Sequence, residues 1–277
     1  MARAVLLVSA KSGDDPAFRG RWTPFGTWMP LIGGKLAVRL LDRVSRQGTV
    51  GYPDVATAYL GKSKIEILLG SSIWDEFRNR DVIDFGCGDG AEAVEIAMRG
   101  ARRVIGIDIR RKALQGACAR ARQAKVSEKC VFVTEWHEPV DYIVSLDAFE
   151  HFADPAAILK TMHRLLKPTG AILTSFGPIW RHPLGGHIYS VFPYAHLLIS
   201  ENALVRWRSQ YKTDGATSIE GSGLNRMTIR RFERYVAASP LRIERLEAVP
   251  IRRLRRIANR FTREFTTATV RCRLVPR

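Results

Sequence analysis

Residues 82 to 90 read Val-Ile-Asp-Phe-Gly-Cys-Gly-Asp-Gly, and an isolated acid, Asp108, follows eighteen residues later inside Val-Ile-Gly-Ile-Asp-Ile. This combination can bind a nucleoside. Gly86, Gly88 and Gly90 let the backbone turn sharply and approach a ligand with no Cβ in the way. Asp108 ends an apolar run, and its two oxygens can accept both hydroxyls of a ribose. The glycines run G-x-G-x-G, not the G-x-G-x-x-G that seats a pyrophosphate on a helix N-terminus. Asp84 and Asp89 bracket the loop with negative charge, which repels a pyrophosphate and suits a ligand carrying an ammonium and a sulfonium.

The flanking pattern supplies the elements that must hold these groups. Val82–Phe85 and Val104–Ile107 are short apolar runs that suit buried parallel strands. Ala91–Arg99 reads as a helix with Val94, Ala97 and Met98 on one face and Gly100 at its C-cap. A helix over Arg111–Ala124, a strand over Cys130–Thr134 and a strand over Val140–Asp147 follow. Then come a helix around Ala156–Leu166, the turn Lys167-Pro168-Thr169-Gly170 and a strand over Ala171–Ser175. Upstream, a helical stretch from about Asp54 to Leu69 ends at Gly70.

The glycine loop, Asp108, Glu135 after the third strand and the Leu165–Gly170 turn occur in the order found in the class I S-adenosylmethionine-dependent methyltransferases. The chain resembles that family over roughly residues 80 to 176. The resemblance implies a Rossmann-like α/β fold: a seven-stranded, mostly parallel sheet with an antiparallel C-terminal strand and helices on both faces. It implies S-adenosyl-L-methionine as donor, held by Asp84, Gly86, Cys87, Gly88, Asp108, Ile109, Glu135, Trp136, Leu146 and Asp147. Glu135 would hold the adenine amino group and Trp136 would pack beside the ring. A methyl group would pass to an oxygen, nitrogen or carbon of a small molecule.

All six histidines fall between His137 and His196. His163 is expected to face away, whereas His151, His182, His187 and His196 are pocket candidates. His151 is the sharpest, because an imidazole near the transferring methyl can deprotonate an acceptor. His187 is the second choice. The competing reading makes Glu150 and His151 a structural hydrogen-bonded pair. Asp147, Glu150 and His151 also resemble the divalent-ion site of some methyltransferases, but acid and His pairs at helix starts are commonly caps, and a metal is not favoured.

Leu146-Asp147-Ala148-Phe149 stands where base-amino methyltransferases carry Asp/Asn-Pro-Pro-aromatic, and it has no cysteine nucleophile. A small-molecule acceptor is therefore expected. After the fifth strand, residues 177–225 read as an acceptor-side insertion. It opens with a Gly/Pro-rich loop and continues as a helical segment over Pro193–Tyr211, and Trp180, Tyr189, Phe192 and Tyr194 are candidates to wall a pocket. Thr228 can cap a helix over Ile229–Ala238; strands over Leu241–Val249 and Phe265–Leu274 flank an Arg-rich helix.

Residues 1–50 read as an N-terminal arm or cap without sustained periodicity, in which Trp22, Phe25, Trp28 and Met29 would pack; residues 51–277 form the main domain. No run of eighteen apolar residues exists, and four cysteines without metal-type spacing fit a cytoplasmic setting. The formal charge is +17, of which residues 225–277 contribute fifteen Arg against four acids. Nucleic acid or an anionic membrane are therefore candidate partners of the basic flanks, against the plainer reading that Arg252, Arg253, Arg255 and Arg256 are a solvated helix face. Two rivals follow: a non-catalytic relative that binds RNA or membrane through this region, and an NAD(P)-dependent oxidoreductase, which the glycine spacing disfavours.

Overall fold

Val82-Ile83, Val104-Ile105, Ile143-Val144 and Ile172-Leu173 are neighbouring apolar pairs, and in each pair one side chain enters one core and its neighbour the other. A strand turns successive side chains to opposite faces, so such doubly apolar runs form only where both faces are covered. The structure, a computed structural model, describes residues 30–45 and 61–277. Trp22, Phe25, Trp28, Met29 and the expected helix start near Asp54 lie outside the described residues.

In chain order the principal elements are α1 (Gly34–Val44), α2 (Lys64–Leu69), α3 (Ile73–Phe77), β1 (Asp81–Phe85), α4 (Ala91–Met98), β2 (Arg103–Ile107), α5 (Arg111–Gln123), β3 (Cys130–Val133), β4 (Val140–Leu146), α6 (Pro155–Arg164) and β5 (Leu166–Phe176). They continue with α7 (Ala195–Leu198), α8 (Glu201–Arg208), α9 (Ile229–Ala237), β6 (Leu241–Pro250), α10 (Arg263–Thr266) and β7 (Thr267–Pro276). The sheet order is β3-β2-β1-β4-β5-β7-β6. The first five strands pair in parallel, and β7 inserts antiparallel between β5 and β6. This is the expected Rossmann-like class I methyltransferase architecture.

Helices α2, α3 and α4 cover one face through Ile65, Trp74, Phe77 and Ile96, while α6 and α9 cover the other through Leu159, Met162 and Phe232. In α4 the buried face is Ala93, Val94, Ile96 and Ala97, whereas Met98, expected on that face with Val94 and Ala97, is exposed. Ser63 caps α2 by accepting the Glu66 N–H at 3.0 Å. Thr228 caps α9 by accepting the Arg231 N–H, as its position predicts.

The Lys167–Gly170 tetrapeptide is an excursion within β5 rather than a turn before it. Val140 pairs with Leu166 and Tyr142 with Ala171, which leaves those four residues opposite Asp141 alone. Lys167 Nζ donates to Asp141 at 2.9 Å, and a Cβ on Gly170 would stand 2.6 Å from the Asp141 carbonyl oxygen.

Three other expectations need correction. Residues 34–44 do have a helical period: Ala37 and Leu41 are four apart, and both are fully buried. The helix expected over Pro193–Tyr211 is broken at Ile199, which turns extended to pair with Ile32; the Ser200 N–H donates to the Ile32 carbonyl at 2.9 Å. The Arg-rich helix is only a six-residue 3₁₀ segment, Arg252–Ile257, followed by the short α10.

Candidate active site

The glycine loop crosses the carboxyl ends of β1 and β2. Gly86, Gly88 and Gly90 take φ of 86°, 54° and 77°, a left-handed region that strains other residues. Gly90 has a second reason to be glycine, since a Cβ there would lie 2.7 Å from Ala117 Cβ on α5. The Gly86 and Cys87 N–H groups donate to the Ile107 carbonyl at 2.8 and 3.0 Å, which ties the loop to the end of β2. Asp108 then accepts the Gly88 N–H at 3.0 Å.

Two cavities open beside this loop. The first, about 390 Å³, is lined by Gly86, Asp108, Ile109, Asp147, His151 and Phe152, among others. The second, about 530 Å³, is lined by Lys62, Lys64, Asp84, Gly86, Cys87, Gly88, Leu146 and Asp147, among others. They share Gly86 and Asp147, so they form one trough across the ends of β1, β2 and β4. One end is apolar around an acid; the other is rich in charge.

At the charged end Asp84 is buried, and its Oδ2 has no hydrogen-bond partner among the described residues. Burial, reinforced by the Glu92 charge, holds its carboxyl well above the usual range, against the pull of Lys64. Lys64 Nζ stands 3.0 Å from Asp147 and 3.5 Å from Glu92. Asp89, the other acid of the bracket, also lines this end and pairs with Arg120 on α5. Burial pushes the Cys87 thiol up, so it stays protonated and is no nucleophile.

Of the expected site residues, Asp84, Gly86, Cys87, Gly88, Asp108, Ile109, Leu146, Asp147 and His151 line this trough. Glu135 and Trp136 line neither cavity. Glu135 is exposed, and the Trp136 ring packs on the sheet face beneath the Arg103 guanidinium, 5.1 Å away. The chain must double back between β3 and β4 within six residues, which draws Trp136 toward the first residue of β2.

His151 and Glu150 find separate partners. Glu150 is buried and accepts the Gly177 N–H at 3.1 Å. Burial and the Asp147 charge push its carboxyl up to about 8. His151 Nδ1 lies 2.8 Å from the Gly223 carbonyl oxygen. A carbonyl only accepts, so Nδ1 carries the proton and Nε2 keeps its lone pair. The His187 ring packs edge-on to His151, centroids 5.4 Å apart, and His187 itself has φ of 51°. Burial holds His187 down to about 4.

The remaining pocket candidates serve structure. His182 Nδ1 accepts the Leu184 N–H at 2.9 Å. His196 donates from Nε2 to the Trp180 carbonyl at 2.6 Å and accepts the Ser190 hydroxyl at Nδ1. Tyr189 is fully buried, and Trp180 and Phe192 pack with it around Leu41, Leu204 and Trp207; these aromatics fill the core of the 177–225 segment and line neither cavity. Among the described residues no three His, Cys, Asp or Glu side chains converge as a metal ion would require. Lys62, Lys64 and Arg110 line the trough without having been expected there, because no motif in the sequence marks these cations.

Among known proteins, the chain is 30% identical over 159 residues to a ubiquinone biosynthesis O-methyltransferase of Neisseria meningitidis, covering 55% of this chain and 63% of that one. It thus spans less than two thirds of that relative. It is 34% identical over 101 residues to a ribosomal protein L11 methyltransferase of Shewanella pealeana, 36% of this chain and 34% of the other. A crystal structure of a candidate sarcosine dimethylglycine methyltransferase from Galdieria sulphuraria superposes with a TM-score of 0.53 at 13% identity, covering 87% of this chain and 98% of that one, a likeness of fold. The model of one family, described as a methyltransferase domain, matches residues 62–238. With that match spanning the glycine loop, the trough and α9, the chain belongs to the methyltransferase-domain family.

Proposed function

We infer that the protein transfers a methyl group from S-adenosylmethionine to a small-molecule acceptor, with an oxygen acceptor favoured. The observation that carries this reading is the trough: a ribose-competent acid in an apolar cavity at one end, and a buried, unsatisfied Asp84 oxygen at the other. An ammonium at Asp84 would offset the burial that now raises its carboxyl, so the residues fit the donor. Asp108 would bind the ribose, Ile109 would pack on the base, and Lys64 would meet the amino-acid carboxylate. The oxygen preference rests on the O-methyltransferase relative. The ribosomal protein L11 methyltransferase match, over only 101 residues, carries no acceptor assignment.

When bound, S-adenosylmethionine supplies a methyl group activated by its sulfonium, which leaves as a neutral thioether. The protein's remaining work is to align the acceptor, exclude water and remove a proton. His151 would remove it at Nε2, its tautomer fixed by the Gly223 carbonyl. Gly223 belongs to the 177–225 segment, which together with α1 would cover the acceptor side. His187 would act as a positioning residue against the His151 ring.

Calorimetry with S-adenosylmethionine and S-adenosylhomocysteine tests the reading. Micromolar binding is expected for both, and failure of both to bind would overturn it.

A further inference from the structure

The connection between β6 and β7 carries Arg252, Arg253, Arg255, Arg256, Arg260 and Arg263 and, from 251 to 263, no acid. Its first part is the 3₁₀ segment Arg252–Ile257, in which residues three apart eclipse. Leu254 and Ile257 therefore share one side, and the arginines occupy the other two. Arg252, Arg253, Arg255 and Arg256 are exposed and form no ion pair among the described residues, whereas Arg263 at the far end of the connection pairs with Glu233, and Arg273 on β7 pairs with Glu76. Ile257 is 57% exposed and Phe261 is 74% exposed. The Arg260 guanidinium lies over the Phe261 ring, 4.5 Å from its centroid.

The position of this connection matters as much as its composition. The Ile251 N–H donates to the Thr266 carbonyl at 2.7 Å and closes its base. Phe265 sits under the guanidinium of Arg181, 5.5 Å away, in the loop that leaves the carboxyl end of β5. Because β7 runs antiparallel to β5, its first residues also lie at that carboxyl edge, the edge on which the trough opens.

We propose that this connection is a membrane-contact element that docks the carboxyl edge of the sheet on an anionic bilayer surface. Its arginines meet the lipid phosphates, and Ile257 and Phe261 enter the headgroup–acyl boundary. Unpaired arginines alone fit any polyanion. The exposed aliphatic and aromatic side chains decide for the bilayer, because a nucleic-acid backbone offers Ile257 nothing to replace water, whereas an interfacial element buries both. The element is separate from methyl transfer, and its test needs neither donor nor acceptor.

Flotation of the full chain with vesicles gives the test. Vesicles of phosphatidylcholine and phosphatidylglycerol in equal parts should carry the protein, in a salt-sensitive manner, and pure phosphatidylcholine vesicles should not. Ile257→Ser with Phe261→Ser leaves the charge intact and should weaken partition by about tenfold or more. Replacing Arg252, Arg253, Arg255 and Arg256 by Gln should weaken it by roughly a thousandfold. Both variants should keep the parent melting temperature, since the changed side chains are on the surface. Equal partition to both vesicle types, unchanged partition of the Ser variant, or binding of a single-stranded RNA with none to vesicles would each overturn the proposal.

Discussion

Arg110 grips the carboxylate of Asp108 at both oxygens: its Nε donates to Oδ1 and its Nη2 to Oδ2, each at 3.0 Å, and its backbone N–H adds a bond to Oδ1 at 2.8 Å. Burial alone would raise the Asp108 carboxyl, but these bonds prevail and hold it below the usual range. A ribose must share or displace the guanidinium to reach both oxygens. Asp108→Ala should therefore weaken donor binding by roughly 10–100-fold, the worth of hydrogen bonds to a charged acceptor. Arg110→Ala should instead tighten it by about 2–5-fold, since an ion pair whose guanidinium is exposed is weak. Calorimetry on both variants checks the pair of opposite signs; weaker binding by Arg110→Ala would mean that the guanidinium contacts the donor.

His151 is expected to act on the acceptor and not on the donor. His151→Ala should lower kcat by about 100-fold or more while donor affinity changes little. His151→Gln keeps a polar group but no base, and should be equally slow. A variant that keeps full kcat with a raised KM would reduce His151 to a positioning role.

Three histidines of the 177–225 segment, one buried and two half-buried, predict acid sensitivity. His182, His187 and His196 are each held down to about 4 by burial, from an ordinary value of 6.5. A depressed folded value means that the unfolded chain takes up protons first, so the stability is present above 6.5 and is lost as pH falls toward 4. Hydrogen exchange across residues 180–200 should accelerate in that window before it does in β1 or β4. Simultaneous loss of protection in the sheet would count against a local origin.

Glu150 predicts the opposite sign at higher pH. Its folded value is about 8 against an ordinary 4.5, so the folded chain holds a proton that the unfolded chain releases. This contribution is complete below 4.5 and is lost as pH rises through 8. Glu150→Gln keeps the acceptor for the Gly177 N–H and removes the titration. Its melting temperature should fall several degrees less than the parent's between about pH 6 and about pH 9, and parallel curves would refute the assignment.

α1 and α8 meet through Leu41, Leu204 and Trp207, which makes the helix before the sheet part of the 177–225 segment. Leu41→Ala should cost about 2–5 kcal/mol of that unit's stability. Donor affinity should stay unchanged, because none of these residues lines the trough. Urea titration followed by tryptophan fluorescence, beside calorimetry, separates the two effects.

The glycine-loop half of the trough was legible in the sequence because its signals are local. Glycines at 86, 88 and 90 declare a left-handed backbone whatever surrounds them, and Val82-Ile83 or Ile143-Val144 declare a strand covered on both faces. The strand ends then follow in order along the chain, and Asp108 comes to the loop because β1 and β2 are adjacent. Long-range choices were not legible. Ile199 breaks a helix only because Ile32 is there to pair with it. Trp180, Tyr189 and Phe192 have the composition of a pocket wall and form a small core instead, since burying them against Leu41 and Trp207 removes more apolar surface from water. Trp136 was drawn under Arg103 by a short return path, and Arg110 closed on Asp108 because two opposite charges two residues apart met in a partly dry cavity. By itself the sequence determined the fold and the conformation of the glycine loop, through backbone conformation and alternation. Only the tertiary structure decided which side chains line the trough, because that depends on contacts between residues distant along the chain.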